Sequence, residues 1–155
     1  MNRGKQFERK FAEDVTKTFK NCVLIRLPDQ LSGYKYSSSN ICDFLLYTYP
    51  NFYLIECKSK DGNTFPFSNL SQYDKLVSKV DIPGVRAGVL IWFKDHDKVI
   101  YVPIKTITQM KNDQKKSINI KTDLDKYRIF EIPGKKKRVF IECDYSILTT
   151  LEDGD

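Results

Sequence analysis

The chain has 155 residues, with 26 Lys+Arg against 20 Asp+Glu, a single His and a formal charge of +6. That length suits one compact domain, which buries roughly 68–70% of the surface its unfolded form exposes and so folds without disulfides or a structural metal. Hydrophobic residues at 41%, with ten Phe and nine Tyr, exclude a disordered chain. The longest apolar run, Ala87 to Phe93, falls far short of the ~18 residues of a membrane helix, so no membrane association is expected. MNRGKQFERK lacks the apolar stretch of a secretory signal, which makes the cytoplasm the expected compartment.

From Asn2 to Lys20, Phe7, Phe11, Ala12, Val15 and Phe19 recur at helical spacing, with Asn2 as N-cap. Asn21 to Leu27 reads as a short strand, and Pro28 to Asn40 as a polar loop. Ile41–Tyr49 and Phe52–Lys58 read as strands of an antiparallel hairpin turning at Pro50-Asn51. After a loop over 59–67, Ser68 is the expected N-cap of a helix carrying Leu70, Tyr73, Val77 and Val80. Arg86–Phe93 is apolar enough for a central strand buried on both faces, and Lys98–Pro103 pairs with it across a Lys94-Asp95-His96-Asp97 turn. A short helix over Pro103–Asn112 begins with proline in its first turn. Strands Tyr127–Ile132 and Arg138–Glu142 flank Pro133-Gly134-Lys135, and Tyr145–Leu151 closes the chain as a helix. The order is helix, three strands, helix, then strands again, which predicts an α/β domain with a mixed sheet.

Several chemistries are excluded by what is missing. Cys22, Cys42, Cys57 and Cys143 form no CxxC pair, and with His96 alone available they read as small buried hydrophobes and not as a zinc site. No GxSxG accompanies the one histidine, and neither GxGxxG nor GxxxxGK[ST] occurs.

The informative residues are acids in apolar surroundings. Asp43 interrupts Ile41-Cys42-Asp43-Phe44-Leu45-Leu46. In Phe52-Tyr53-Leu54-Ile55-Glu56-Cys57-Lys58, strand alternation puts Glu56 and Lys58 on one face and Cys57 on the other. A half-buried carboxylate is costly unless a cation or hydrogen bonds offset its desolvation. Glu8 adds a third: at 100° per residue it falls within the apolar stripe of the first helix, whereas Glu13 and Asp14 fall outside it. Three carboxylates and a lysine are the groups needed to hydrolyse a phosphodiester with Mg²⁺, for which Mn²⁺ can substitute. The alternative is structural: an ion pair of Asp43 or Glu56 with Lys58 or Arg26, a Lys58 that reaches solvent from a strand end, and a Glu8 stabilised by its helix N-terminus.

Asp43, twelve intervening residues, then Glu56-Cys57-Lys58 resembles the PD-(D/E)xK nuclease superfamily. Acid-x-Lys triplets also occur at Glu8-Arg9-Lys10 and Asp113-Gln114-Lys115, but only the Glu56 copy sits on an apolar strand that follows an acid-bearing strand. With Asn2-Arg3-Gly4, Phe7-Glu8, Asn63-Thr64-Phe65-Pro66-Phe67 and Asn69-Leu70, the chain looks like the RecU family of Holliday-junction resolvases. The resemblance implies a single nuclease domain with a restriction-endonuclease-like core and a short acidic tail. Asp43 and Glu56 would be metal ligands, Glu8 a further acidic site residue and Lys58 the catalytic lysine. It also implies a homodimer in a bacterial or phage-infected cell, making paired metal-dependent nicks in four-way DNA. The chain departs from the family in three places. Only Pro28 to Asn40 stands where a long insertion is usual, Cys42 replaces a common Thr, and Tyr73-Asp74 replace a His-Gln pair, with Gln72 nearby. The short insertion bears on junction selectivity more than on nuclease chemistry.

Candidate DNA contacts are Arg3 and Lys5 beside Glu8, Tyr34-Lys35-Tyr36 in the polar loop, Lys60, Gln72, and the basic run Lys135-Lys136-Lys137-Arg138. A solvated loop and an exposed hairpin turn are the alternatives for the loop and the basic run. Other readings of the whole are a PD-(D/E)xK nuclease cutting flaps, branches or specific duplex, and a protein of this fold that binds DNA without cutting it.

Overall fold

The computed structural model describes residues 2–28, 40–138 and 140–151. Helix α1 (Arg3–Thr18) starts where the sequence predicts, with the Asn2 side chain accepting from Gly4 N at 2.7 Å and Lys5 N at 3.4 Å. Strands β1 (Val23–Arg26), β2 (Phe44–Thr48) and β3 (Asn51–Lys60) follow, then β4 (Thr64–Pro66), α2 (Tyr73–Val77), β5 (Val85–Phe93), β6 (Lys98–Pro103) and α3 (Ile104–Asn112). The chain continues through β7 (Ser117–Asn119), β8 (Phe130–Ile132), β9 (Gly134–Lys136) and β10 (Ile141–Cys143).

Six strands form one mixed sheet in the order β1-β2-β3-β5-β6-β8. All neighbours are antiparallel except β3 and β5, which run parallel because the chain crosses over between them through β4 and α2. One sheet face carries Phe44, Leu46, Tyr53, Ile55 and Cys57 and is covered by Phe7, Phe11 and Val15 of α1 and by the C-terminal Tyr145 and Leu148. The opposite face carries Leu54, Val89, Ile91, Ile100 and Val102 and packs on Leu76 of α2 and Ile104, Ile107 and Met110 of α3. The expected mixed α/β architecture is what the chain adopts, and β5 is buried along most of its length.

Four local expectations fail, the first for a tertiary reason. The helix expected from Ser68 to Val80 is a 3₁₀ turn over Phe67–Asn69 and a five-residue α2, and Ser68 caps nothing. Phe67 N bonds instead to Lys116 O, and β4 pairs with β7, which pulls this segment away from helical geometry. Pro103 is the N-cap of α3 and not part of its first turn. Strands form on both sides of Pro133, but Gly134–Lys136, expected between them as a connection, is itself strand β9: β8 joins the main sheet beside β6, and β10 pairs with β9. The closing helix is a 3₁₀ turn over Tyr145–Thr150. No helix among the described residues is long and apolar enough to cross a membrane.

Candidate active site

Glu56 lies mid-strand on β3, where alternation turns it to the α2/α3 face while Cys57 points beneath α1. It is 2% exposed, and Lys58 Nζ, from the same face, lies 3.2 Å from its Oε1. The other oxygen, Oε2, is buried without a hydrogen-bond partner. Asp43 sits one residue before β2. Its N–H donates to Ile55 O at 3.1 Å, its Oδ2 accepts from Cys57 N at 2.8 Å, and these bonds hold its carboxylate beside Glu56.

Burial, and then the Asp43 charge, push the Glu56 carboxyl up to about 7, against the pull of Lys58. Asp43 is also raised, chiefly by burial, with Cys57 N, Lys58, Glu56 and Arg26 acting the other way. The two acids thus share a poorly solvated space in which both cannot ionise cheaply without a further cation. The neighbouring thiols of Cys42 and Cys57 are raised, first by burial and then by contacts that include the acidic pair, which keeps them protonated. Cys42, Cys57 and Cys143 are buried, as expected, whereas Cys22, expected to be buried too, is half-buried.

Glu8 is placed differently. Since α1 covers the Cys57 face, Glu8 approaches the sheet from the side opposite Glu56 and meets Arg26 of the edge strand. Arg26 Nη2 donates to Glu8 Oε2 at 2.7 Å and Nε to the same oxygen at 3.1 Å. Among the described residues no three Asp, Glu, His or Cys side chains are gathered to hold a metal ion. The structure therefore brings together Asp43, Glu56 and Lys58, with Glu8 held at the rim by Arg26. Arg26 is the residue least readable as a site partner of Glu8; its one signal is a cation ending the apolar strand Val23-Leu24-Ile25.

The expected DNA contacts scatter over several elements. Arg3 reaches Asp61 at 3.6 Å, and Asp61 in turn binds Lys94 at 2.9 Å, which ties the start of α1 to the loop after β3. Lys5 lines a groove of about 580 Å³ with Glu8, Arg9, Leu24 and Arg26. Lys60 ends β3 half-buried, and Gln72, also half-buried, accepts from Ser71 Oγ at 3.1 Å. Lys135 and Lys136 lie on β9 and Lys137 and Arg138 beyond it, all exposed. Lys136 pairs with Asp97 at 2.8 Å and Lys137 with Glu142 at 3.7 Å. Asp97 belongs to the turn after β5, whose Asp95 accepts from Gly62 N at 2.7 Å and whose His96 bonds Asn63. The basic run is thereby tied to the end of the sheet where β3 and β5 finish. Tyr34, Lys35 and Tyr36 lie outside the described residues.

A six-stranded mixed sheet with one parallel pair, flanked by α1 on one face and by α2 and α3 on the other, defines a restriction-endonuclease-like α/β fold. A solved structure with this fold is Hjc, a Holliday junction resolvase from the archaeal hyperthermophile Archaeoglobus fulgidus. It is similar at a TM-score of 0.55 and 20% identity, over 75% of this chain and 88% of that one. No family model matches the chain, and no curated protein sequence does.

Proposed function

We propose that this protein is a divalent-metal-dependent endodeoxyribonuclease of the PD-(D/E)xK type, RecU-like, that resolves four-way DNA junctions by paired nicks as a homodimer. The observation that carries the reading is the buried Asp43–Glu56 pair, with one Glu56 oxygen unpartnered and Lys58 beside the other. A structural ion pair would leave neither a second carboxylate nor an unpaired oxygen in the same space. The fold shared with a Holliday junction resolvase supports the choice of substrate.

The donor set fits Mg²⁺ or Mn²⁺: two hard carboxylates, one with a free buried oxygen and both raised by burial. Asp43 and Glu56 would hold the ion, and for Glu8 to add a third carboxylate it must leave Arg26. When bound there, such an ion would supply charge neutralisation at the scissile phosphate and would lower the pKa of a water. Cys57 N–H fixes the Asp43 carboxylate, and the sheet fixes Glu56. Lys58, a quarter exposed, is the group that donates to a phosphate oxygen or the attacking water and stabilises negative charge as it develops. Arg3, Lys5, Lys60 and the run from Lys135 to Arg138 contribute contacts to the DNA backbone.

Labelled four-way junction, linear duplex and flap, each with Mg²⁺ or EDTA, test the proposal. Symmetric paired nicks on the junction alone, lost in EDTA, are the expected result. Equal cutting of all three substrates replaces the junction reading with a less selective nuclease of the same class. Binding without cutting of any of them overturns the enzyme reading.

A further inference from the structure

The densest positive run in the sequence, Lys135 to Arg138, is partly neutralised by the fold, because Lys136 and Lys137 lie against Asp97 and Glu142. Uncompensated charge gathers elsewhere. Residues 104–128 carry seven Lys and Arg against three Asp, a net +4 of the chain's +6. Two of those acids are engaged within the segment. Asp123, 1% exposed, takes Lys115 Nζ at 3.0 Å on one oxygen and Asn119 N–H at 2.7 Å on the other, and Asp113 accepts from the Tyr127 hydroxyl at 2.8 Å. Lys116, Lys121 and Lys126 are exposed, and none of them has an acidic partner among the described residues.

The backbone that carries these lysines is held firmly. β7 lies between Lys116 and Lys121 and pairs with β4, while Phe67 N bonds Lys116 O at 2.9 Å and Ile120 N bonds Asn63 O at 2.8 Å, so both ends are fixed. Beyond β7, Asn119 Oδ1 accepts from Lys121 N at 2.9 Å, Asn119 O from Asp123 N at 3.0 Å, and Asp123 O from Lys126 N at 3.1 Å. This is a closed turn of the kind that asparagine and aspartate favour. Phe65, Ile118 and Ile120 anchor the β4–β7 ribbon in the core on the α2/α3 face of the sheet, the face to which Glu56 and Lys58 turn. Asn63 comes three residues after Lys60, the end of β3, so chain reach keeps Lys121 within about 35 Å of Glu56, one helical turn of duplex DNA.

Exposed cations on a fixed backbone, with their own carboxylates turned inward, suit a polyanion, and lysine meets phosphate as a point charge. The exposed aromatics among the described residues, Tyr47 and Tyr49, belong to β2 and the turn after it, at the other end of β3 from the ribbon. Without a stacking platform beside the lysines, the ligand is the backbone of paired DNA and not unstacked bases. We propose that the β4–β7 ribbon, through Lys116, Lys121 and Lys126, is a second DNA surface that grips the phosphate backbone of duplex flanking the cut. Contacts of this kind position the DNA without reading its sequence. That the duplex flanks a cut rests on the nuclease reading; the affinity of the ribbon for duplex does not.

Fluorescence anisotropy of a labelled duplex of about 20 base pairs, in EDTA and over roughly 50–200 mM salt, tests this with the full chain. The wild type is compared with Lys116→Ala/Lys121→Ala and with Lys17→Ala/Lys20→Ala, each checked for folding by circular dichroism. The control removes the same charge from exposed positions at the end of α1, which covers the opposite sheet face. In the ribbon variant the slope of log affinity against log salt should be shallower by about two, and affinity at ~0.1 M salt about 50-fold weaker, while the control keeps the wild-type slope. A ribbon variant with the wild-type slope overturns the proposal, as does an equal loss in the control or a wild type that binds no duplex. On a four-way junction with Mg²⁺, the ribbon variant should raise KM and leave kcat unchanged. A wild type that cuts nothing, with the ribbon effect on binding intact, refutes the nuclease and leaves the surface standing. A wild type that cuts, with a ribbon variant of full affinity, does the reverse.

Discussion

Asp14 and Glu56 are both carboxylates removed from water, 1% and 2% exposed, and the fold treats them in opposite ways. Asp14 is satisfied on both oxygens: Lys10 Nζ lies 2.8 Å from Oδ1, and Cys143 N–H donates to Oδ2 at 2.9 Å. It fastens α1 to β10. Asp123 repeats the pattern, with Lys115 at 3.0 Å and Asn119 N at 2.7 Å. Glu56 has a lysine on one oxygen, no N–H or hydroxyl donor on the other, and a second acid alongside with which only a shared proton can make a hydrogen bond. A buried carboxylate is therefore not in itself a functional signal here. The signal is a carboxylate left unsatisfied next to one of like charge, an arrangement that costs stability and is relieved by a cation.

The contrast predicts that the two acids fail differently when neutralised. Glu56→Gln should reduce cleavage on the order of 1000-fold or more while leaving the thermal midpoint unchanged or slightly higher; comparable activity in the variant would remove Glu56 from the site. Asp14→Ala should lose about 3 kcal/mol, the low end for a broken buried pair because Lys10 keeps some solvent, seen as a midpoint about 6–12 °C lower in a thermal melt. A neutral Asp14→Ala would mean that the helix is held by packing alone.

The pH dependence sharpens the same comparison. Glu56 is raised in the folded chain from an ordinary value of 4.5 to about 7, so its protonated form is favoured by folding. Its contribution to stability is full below pH 4.5 and is lost as pH rises toward 7. Without metal, wild-type stability should thus fall relative to Glu56→Gln over that window in denaturant titrations, and Mg²⁺ should restore it at neutral pH. A constant difference between the two proteins across the window would contradict the assignment. The smallest effect is expected at the basic run. Lys136→Ala breaks an exposed pair with Asp97 that solvent screens, so the thermal midpoint should not move measurably. Junction affinity should weaken modestly, with the salt slope reduced by about one.

Asp43, Glu56 and Lys58 were legible in the sequence because the evidence is local: acids set into apolar strands, a hairpin that pairs those strands, and alternation that puts Glu56 and Lys58 on one face. Asp14 was misread for the complementary reason. It falls at the margin of the apolar stripe of α1, and the group that draws it inward, Cys143 N, is 129 residues away. Glu8 was read correctly as facing inward, but no periodicity reveals that Arg26 waits for it across 18 positions. The shortened α2 has a similar cause, since the pairing of Thr64–Pro66 with Ser117–Asn119 overrides a helical pattern that looks sound by itself. Local pattern thus disclosed which groups meet at the centre of the candidate site, and contacts between distant segments decided its rim.

The central claim is that the unsatisfied pair exists to hold a metal ion, and calorimetric titration of Mn²⁺ into the wild type and Glu56→Gln at pH ~6 tests it most directly. The wild type should bind the ion with a heat that varies with buffer ionisation enthalpy, because a proton leaves the Asp43–Glu56 pair as the metal enters, and Glu56→Gln should bind at least ~100-fold more weakly without that proton release. Equal affinity and equal proton release in the two proteins would contradict it.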